Sequence, residues 1–431
     1  MTKTEAPIPT SDAAPSGLAS SELIGSGQEG TVGDQIKSWF QRVKSGDMGA
    51  LPAIGGFLVL SIMFTFLSPF FLTELNFANL LTQAATLVTL AMALTFVILL
   101  GEIDLSAGVT SGVGAGLFVV FTNPAGPNLN WILALGISLL FGLATGTLIG
   151  FFVARVGIPS FVVTLGLFLG YQGLALIVIG SGGLYRIQIP EIKAIMNANM
   201  PVWAGWAMLG VILAVSAATS FWDRYRRTRA GVPNRKIVFV WIKLGVIAAL
   251  GGFVIAVLSD NRSQSIVTIQ GVPIVVPFTL FILWLGTFVL DRTRYGRYIY
   301  AIGGNAEAAR RAGVKVVMIR WTAFVVCSSL AIVAGIFAAS KVGSVDAAAG
   351  RDIVLSGVAA AVVGGVSLFG GRGRLLHAAI GALVIAVITN GLGLLNLPAG
   401  VNFLVTGAVL ILAATVDALS RVRAGGALIR T

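Results

Sequence analysis

LSAGVTSGVGAGLFVVFTNPAGPNLNWILALGISLLFGLATGTLIGFFVA, residues 105–154, runs for 50 positions without an Asp, Glu, Lys or Arg. About 20 apolar residues suffice for one helix to cross the hydrocarbon core of a bilayer. The stretch is therefore long enough for two crossings with a turn between them. Residues 375–416 form a second such run, 42 positions free of the same four residue types. Outward from these runs the whole chain has the same character: 56% hydrophobic, 11% charged, mean hydropathy +0.93 over 431 residues. Soluble domains average about 25% charged residues, so the composition predicts an all-α polytopic membrane protein.

Apolar segments fall at residues 51–67, 77–100, 105–121, 131–153, 158–180, 203–221, 237–258, 275–290, 321–340, 353–369, 375–395 and 401–416. Several hold so much Gly and Pro that broken or re-entrant helices are expected. Such breaks are tolerated at membrane depth only where protein or a cavity covers the freed backbone groups. The expectation is a bundle of about 10–12 hydrophobic segments, some of them broken.

The formal charge is +12, which in a soluble protein would point to nucleic acid. Here the basic residues gather in the short links between apolar segments, the signature of cytoplasmic loops. Residues 223–236 carry six Lys or Arg and residues 291–320 carry seven, and two apolar segments separate them, as two loops on one side require. Residues 1–46, rich in Ser, Thr, Gly and Pro, are expected to be a disordered cytoplasmic tail with a basic amphipathic helix at residues 35–44. Residues 47–420 would be the transmembrane domain and residues 421–431 a second cytoplasmic tail.

The single cysteine, Cys327, lies in an apolar segment, which excludes an internal disulfide or a multi-cysteine metal site. Neither metal ligands nor a catalytic constellation is expected. No G-x-x-x-x-G-K-[ST] pattern occurs, so nothing here cradles ATP phosphates in the P-loop manner. If ATP drives this protein, another chain binds it.

The charged island at residues 291–320 reads DRTRYGRYIYAIGGNAEAARRAGVKVVMIR. Its centre, from Asn305 to Gly313, combines Ala-rich helix propensity, Glu307 early in the turn, Arg310 and Arg311 late, and a closing glycine. It predicts a short helix lying flat on the cytoplasmic surface, with the small Ala308 and Ala309 offering a docking face. Glu102 and Asp104 lie between two apolar segments, where each carboxylate would cost about 2.5–3.5 kcal/mol at mid-bilayer depth. Asp104 precedes Leu105, Ser106 and Ala107 and is placed to cap the next helix. Glu102 has no such local role and is a candidate for pathway or partner contact.

Ser106, Thr164 and Asn390 are further candidates for the pathway or its gate. The five glycines and two arginines of residues 363–374, VGGVSLFGGRGR, suit a helix break at a cytoplasmic end. Asp346, Arg351 and Asp352 fall at the outer ends of their segments, where an extracytoplasmic partner would meet them. A faint internal echo links PSFVVT at residues 159–164 with GVNFLVT at residues 400–406, a duplication of the kind transporters are built from.

Four motifs in order, GEIDLSAG at 101–108, IPSFVVTLG at 158–166, YGRYIYAIGGNAEAARRAGV at 295–314 and VGGVSLFGGRGRL at 363–375, carry a resemblance from Leu51 onward. They resemble the permease subunits of bacterial ABC importers for ribose, arabinose, xylose and related sugars. The resemblance implies a helical bundle like the type II importer permeases, working as a homodimer in the bacterial inner membrane. It implies two further partners: an ATPase subunit, which holds the ATP and Mg so that this chain needs no cofactor, and a periplasmic or lipid-anchored sugar-binding protein.

The pattern Glu307-Ala308-Ala309 to Gly313 is similar to the coupling helix that docks into that ATPase, although Met318-Ile319-Arg320 stands where the longer motif ends in proline. Glu102 and the NGLGLLN stretch at 390–396 look most like xylose-type members. Two rival readings are a permease for nucleosides or another small polar solute, and a secondary active transporter. The second would call for more intramembrane carboxylates or a cation site than Glu102 and Asp104 supply.

Overall fold

At membrane depth no water satisfies backbone N–H and C=O groups, so an apolar chain resolves into helices. The computed structural model describes residues 49–232, 234, 236–263 and 266–425. The expected N-terminal tail and its amphipathic helix lie outside them. In chain order the helices are α1 (Leu51–Leu67), α2 (Glu74–Ile98), α3 (Ala107–Phe121), α4 (Trp131–Gly150, continued by a π-helical stretch Phe151–Val156), α5 (Ser160–Ile179), α6 (Pro190–Asn197), α7 (Val202–Arg229) and α8 (Val238–Ser259). They continue with α9 (Val275–Arg292), α10 (Arg294–Gly304), α11 (Ala306–Arg311), α12 (Val316–Val342), α13 (Ile353–Val363), α14 (Leu375–Leu394) and α15 (Ala399–Gly425).

Among the described residues eight helices, α2, α4, α5, α7, α8, α9, α12 and α14, are long and apolar enough to cross a membrane. α1, α3, α13 and the first part of α15 are shorter apolar helices. The expected segments are thus all helical, with corrections at their ends. The segment expected to reach residue 369 stops at Val363, because Gly365 turns left-handed at φ +96° and the N–H groups of Gly365 and Val366 bond back to the Val362 and Ala361 carbonyls at 2.8 and 3.0 Å. α7 runs on to Arg229 and takes half of the first basic loop into a helix. α15 continues through Arg421 to Gly425, so the expected tail begins as helix; no Gly or Pro interrupts residues 408–423.

The core is an exchange between two halves. α2 and α12 pack on each other; α3 and α4 lie on α12, whereas α13 and α14 lie on α2. α3 also packs on α5 as α13 packs on α15. The run α2–α5 and the run α12–α15 therefore make the same contacts with roles exchanged. α5 starts where its Ser160 and Thr164 meet Ile103, just past the end of α2. α15 follows α14, whose Asn390 meets Asn76 at the start of α2. Equivalent helices thus begin at opposite ends of α2, an inverted repeat. The PSFVVT and GVNFLVT echo falls at the openings of these two helices.

Close helix approach without water rests on small residues. Gly142, Gly146 and Gly150, spaced by four on α4, face α12: a side chain carbon on Gly146 would strike the Val325 backbone, and one on Gly142 would come within 2.6 Å of Ile332. By contrast α8 is buried over 6% of its apolar window, against 83% for α2, so α8 lies on the outside of the bundle.

A two-stranded antiparallel sheet, which the composition gave no sign of, joins two segments far apart in the chain. β1 (Leu184–Arg186) pairs with β2 (Ser344–Asp346), with Tyr185 opposite Val345. α6 docks beside it through Ser340 Oγ, which donates to the Ile192 carbonyl at 2.6 Å, and Asn197 Nδ2, which donates to the Ser340 carbonyl at 2.7 Å.

Candidate functional site

The island at residues 291–320 resolves into more than the one helix expected. α9 ends at Arg292, α10 and α11 follow as separate pieces, and α12 already begins at Val316, so Arg320 belongs to a helix and not to the loop. Thr293 opens α10 by accepting from Gly296 N at 3.3 Å. Asn305 opens α11 by accepting from Ala308 N at 2.9 Å. Gly313, at φ +83°, closes α11 with two bonds, Gly313 N to Arg310 O and Val314 N to Ala309 O, both 3.0 Å. This is the Schellman arrangement, which satisfies carbonyls otherwise left bare.

α11 therefore holds its shape through its own caps, which leaves its outer face free for another task. Glu307 pairs with Arg311 at 3.2 Å and with Arg310 at 3.6 Å in the open, contacts of little energetic weight. Glu307, Ala308, Arg310, Arg311 and Ala312 are exposed. Ala309 is not: it is 6% exposed and packs into the chain's own core. The expected docking face thus loses Ala309, because the helix turns that position inward.

α10 seats this unit on the bundle. Ile299 and Ile302 are buried, and Gly303 touches the Leu99 carbonyl and Gly371 so closely that no side chain fits. Tyr300 Oη donates to the Gly373 carbonyl at 2.9 Å, tying α10 to the glycine-rich link. Burial pushes this phenol up to about 12, with Asp291 acting the same way and Arg374 opposing. The folded state holds the proton more tightly, so this contribution is complete below about pH 10 and lost as pH climbs toward 12. Tyr300→Phe is expected to cost about 1 kcal/mol in thermal unfolding at pH 8, a difference that shrinks in the same assay above pH 10.

Between α2 and α3 the chain is not helical for eight residues, 99–106, and here the sequence candidates meet. Gly101 turns at φ +77°. Ile103 N donates to Ser160 Oγ at 3.2 Å, and Thr164 Oγ1 lies 3.3 Å from the Ile103 carbonyl, so the opening of α5 clasps the break. Asp104 is fully buried; its Oδ1 accepts from Ser106 N at 2.9 Å and from Ser106 Oγ at 2.6 Å. That is an Asx turn, not the helix cap expected, because the capping position of α3 belongs to Ser106, whose side chain makes no capping bond. Cys327 of α12 sits beside the Asp104 carboxylate, buried as expected of a packing residue. Glu102 meets Arg320, Oε1 to Nε 3.3 Å, a partner 218 positions away that nothing in the sequence pointed to.

Asn390 lies elsewhere, at the far end of α2. Its amide and that of Asn76 exchange two bonds of 3.0 and 2.9 Å, and Asn76 Nδ2 also reaches the Phe71 carbonyl at 2.9 Å. Asn390→Leu should destabilise the chain by about 1–3 kcal/mol, since it strands the Asn76 amide. The double variant Asn76→Leu/Asn390→Leu should unfold at a higher temperature than the sum of the two single losses implies.

α12 carries 27 residues from Val316 to Val342, roughly 40 Å at 1.5 Å per residue. α11 stands before its first turn and β2 after its last. Asp346, Arg351 and Asp352 are all exposed, and Asp346 Oδ1 accepts from Ala348 N at 2.8 Å. The two groups of surface candidates thus lie at opposite ends of one helix.

A bundle of apolar helices with a self-capped helix standing off one end has the build of a transporter's membrane subunit. A family model described as branched-chain amino acid transport system, permease component, matches residues 76–237 and 257–414, and the chain belongs to that family of membrane permeases. The xylose transport system permease protein of Escherichia coli (strain K12) is 32% identical over 389 residues, 89% of this chain and 95% of that one. That of Haemophilus influenzae is 30% identical over 360 residues, 80% of this chain and 90% of its own length. The ribose import permease protein of Escherichia coli is 30% identical over 385 residues, covering 88% and 95%. The resemblance carried by the four motifs therefore stands. No solved structure matches the chain.

Proposed function

We propose that this chain is the membrane subunit of an ATP-driven sugar importer, a permease for a pentose with xylose the first candidate. One observation carries the reading. α11 keeps Glu307, Ala308, Arg310 and Arg311 outside the fold at one end of α12, and Asp346, Arg351 and Asp352 are exposed beyond its other end. A shuttle between an energy source on one face and a delivery protein on the other needs this two-ended build. The first group, opened by Asn305 and closed by Gly313, would dock into a separate ATPase that holds ATP and Mg. The second would meet an extracytoplasmic sugar-binding protein.

The basic links support a cytoplasmic side for α10, α11 and both chain ends in a bacterial inner membrane. A second copy would complete the pathway. The sugar's proposed course passes the α2–α3 break, where Glu102, Asp104, Ser106 and Thr164 come together, and Asn390 takes part only in a conformation that opens its pair with Asn76. Xylose ranks first on Glu102 and residues 390–396, supported by the xylose-type relatives. The test is uptake of labelled xylose, ribose and arabinose into proteoliposomes holding this chain, the ATPase and the binding protein. ATP-dependent uptake that requires all three components supports the reading and ranks the sugars. Uptake by this chain alone on an ion gradient overturns it.

A further inference from the structure

We infer that Glu102 and Arg320 form a charge latch that passes movement of the docking helix to the broken membrane helices, with Arg320 its positioning residue. The inference rests on the permease reading and deepens it. Arg320 stands in the opening turns of α12 and follows α11 by nine residues. Nothing between them is loose: Gly313 and Val314 bond back onto α11, and Ala309, Val316 and Ile319 are buried in one cluster. A tilt of α11 therefore moves the start of α12, and Arg320 with it.

On the other side, Glu102 lies one residue past the left-handed Gly101 and one before Ile103, whose N–H and carbonyl face Ser160 and Thr164 of α5. Pulling on Glu102 thus pulls on the clasp between the break and α5. Among the described residues the other ion pairs either lie within α11 or join the ends of α7 and α9. Glu102 with Arg320 is the pair that bridges the docking end to the break.

The pair's geometry suits a contact that opens and closes. The side chains are 13% and 29% exposed, so water screens the attraction less than at an open surface. Arg320 Nε is nonetheless off-line for a hydrogen bond to Glu102. A charge contact without a directional bond tolerates rotation of α12 until the two groups part. When they part, a half-buried charge is left uncompensated on each side, which gives two distinct states for partner binding to bias.

The test measures sugar transported per ATP hydrolysed in the complete complex, for Glu102→Gln, Arg320→Gln, Arg320→Lys and the swap Glu102→Arg/Arg320→Glu. The expected result is that both Gln variants still co-purify with the ATPase and hydrolyse ATP, while transport per ATP falls about 10-fold. Arg320→Lys keeps the wild-type ratio, because charge and not fork geometry carries the contact, and the swap recovers most of the loss. Wild-type ratios in both Gln variants would overturn the latch, as would a swap no better than the single changes. Uptake and complex assembly falling together in every variant would make the pair structural and equally overturn it. A wild-type complex that moves no sugar with ATP would instead overturn the permease reading, and the latch with it.

Discussion

Ala308→Trp should leave the chain folded in the membrane and reduce ATP-driven uptake at least roughly 30-fold. Ala308 is exposed on a helix whose shape is fixed by Asn305 and Gly313, so an indole there disturbs no internal contact. It would stand in the way of any groove that receives α11, and a blocked interface centre costs about 2 kcal/mol or more. Ala309→Trp gives the opposite signature. That position is 6% exposed, and an indole forced inward should cost about 1–3 kcal/mol of stability or more by overpacking. The measurements are melting temperature in detergent, recovery of the ATPase on the tagged permease, and uptake. An Ala308→Trp complex that assembles and transports normally removes α11 from the docking reading.

The second large effect concerns the fold. Gly112 of α3 meets the Ala349 backbone, and Gly335 of α12 meets the Ser111 backbone, each too closely for any side chain. Gly112→Val and Gly335→Val should each lower stability by about 3 kcal/mol or more, since the obstruction is main chain and cannot rotate away. Gly170→Val on α5 is the control, because nothing beyond its own stretch of helix lies within 4 Å of its added carbon. Size-exclusion profiles and thermal unfolding of the three proteins should separate the first two from the third. Equal behaviour of all three would mean that neither close contact of α3, with the link after β2 or with α12, is where the bundle is held tight.

The helices were legible because the bilayer reduces the choice of backbone to one form, and runs such as residues 105–154 leave no other reading. The ends of α11 were nearly as clear, since Glu307, Arg310, Arg311 and Gly313 each act within one or two turns of themselves, although the Asn305 cap went unread. What stayed hidden depends on distant partners. Nothing local distinguishes Ala308, facing out, from Ala309, facing in, until α12 is laid beneath them. The pairing of Glu102 with Arg320 and that of Asn76 with Asn390 join positions more than 200 residues apart, and single residues at such spacing leave no periodic trace. The β1–β2 pair escaped for the same reason: three residues on each side acquire strand character only by meeting. Asp104 was misjudged by two positions, because an aspartate before a helix serves an Asx turn as readily as a cap.

The glycine face of α4 fits only α12, and Val325 comes 179 positions after Gly146 in the chain. At roughly 5–20 residues per second, a ribosome needs on the order of 10–40 s to deliver the second after the first. For that interval α4 sits in the membrane with its closest-fitting surface uncovered, and β1 waits as long for β2. The half-made chain, and not the finished bundle, is then the form most exposed to proteases and to wrong helix partners. Slowed translation or a truncation before Val316 prolongs that state, whereas faster delivery of α12 ends it.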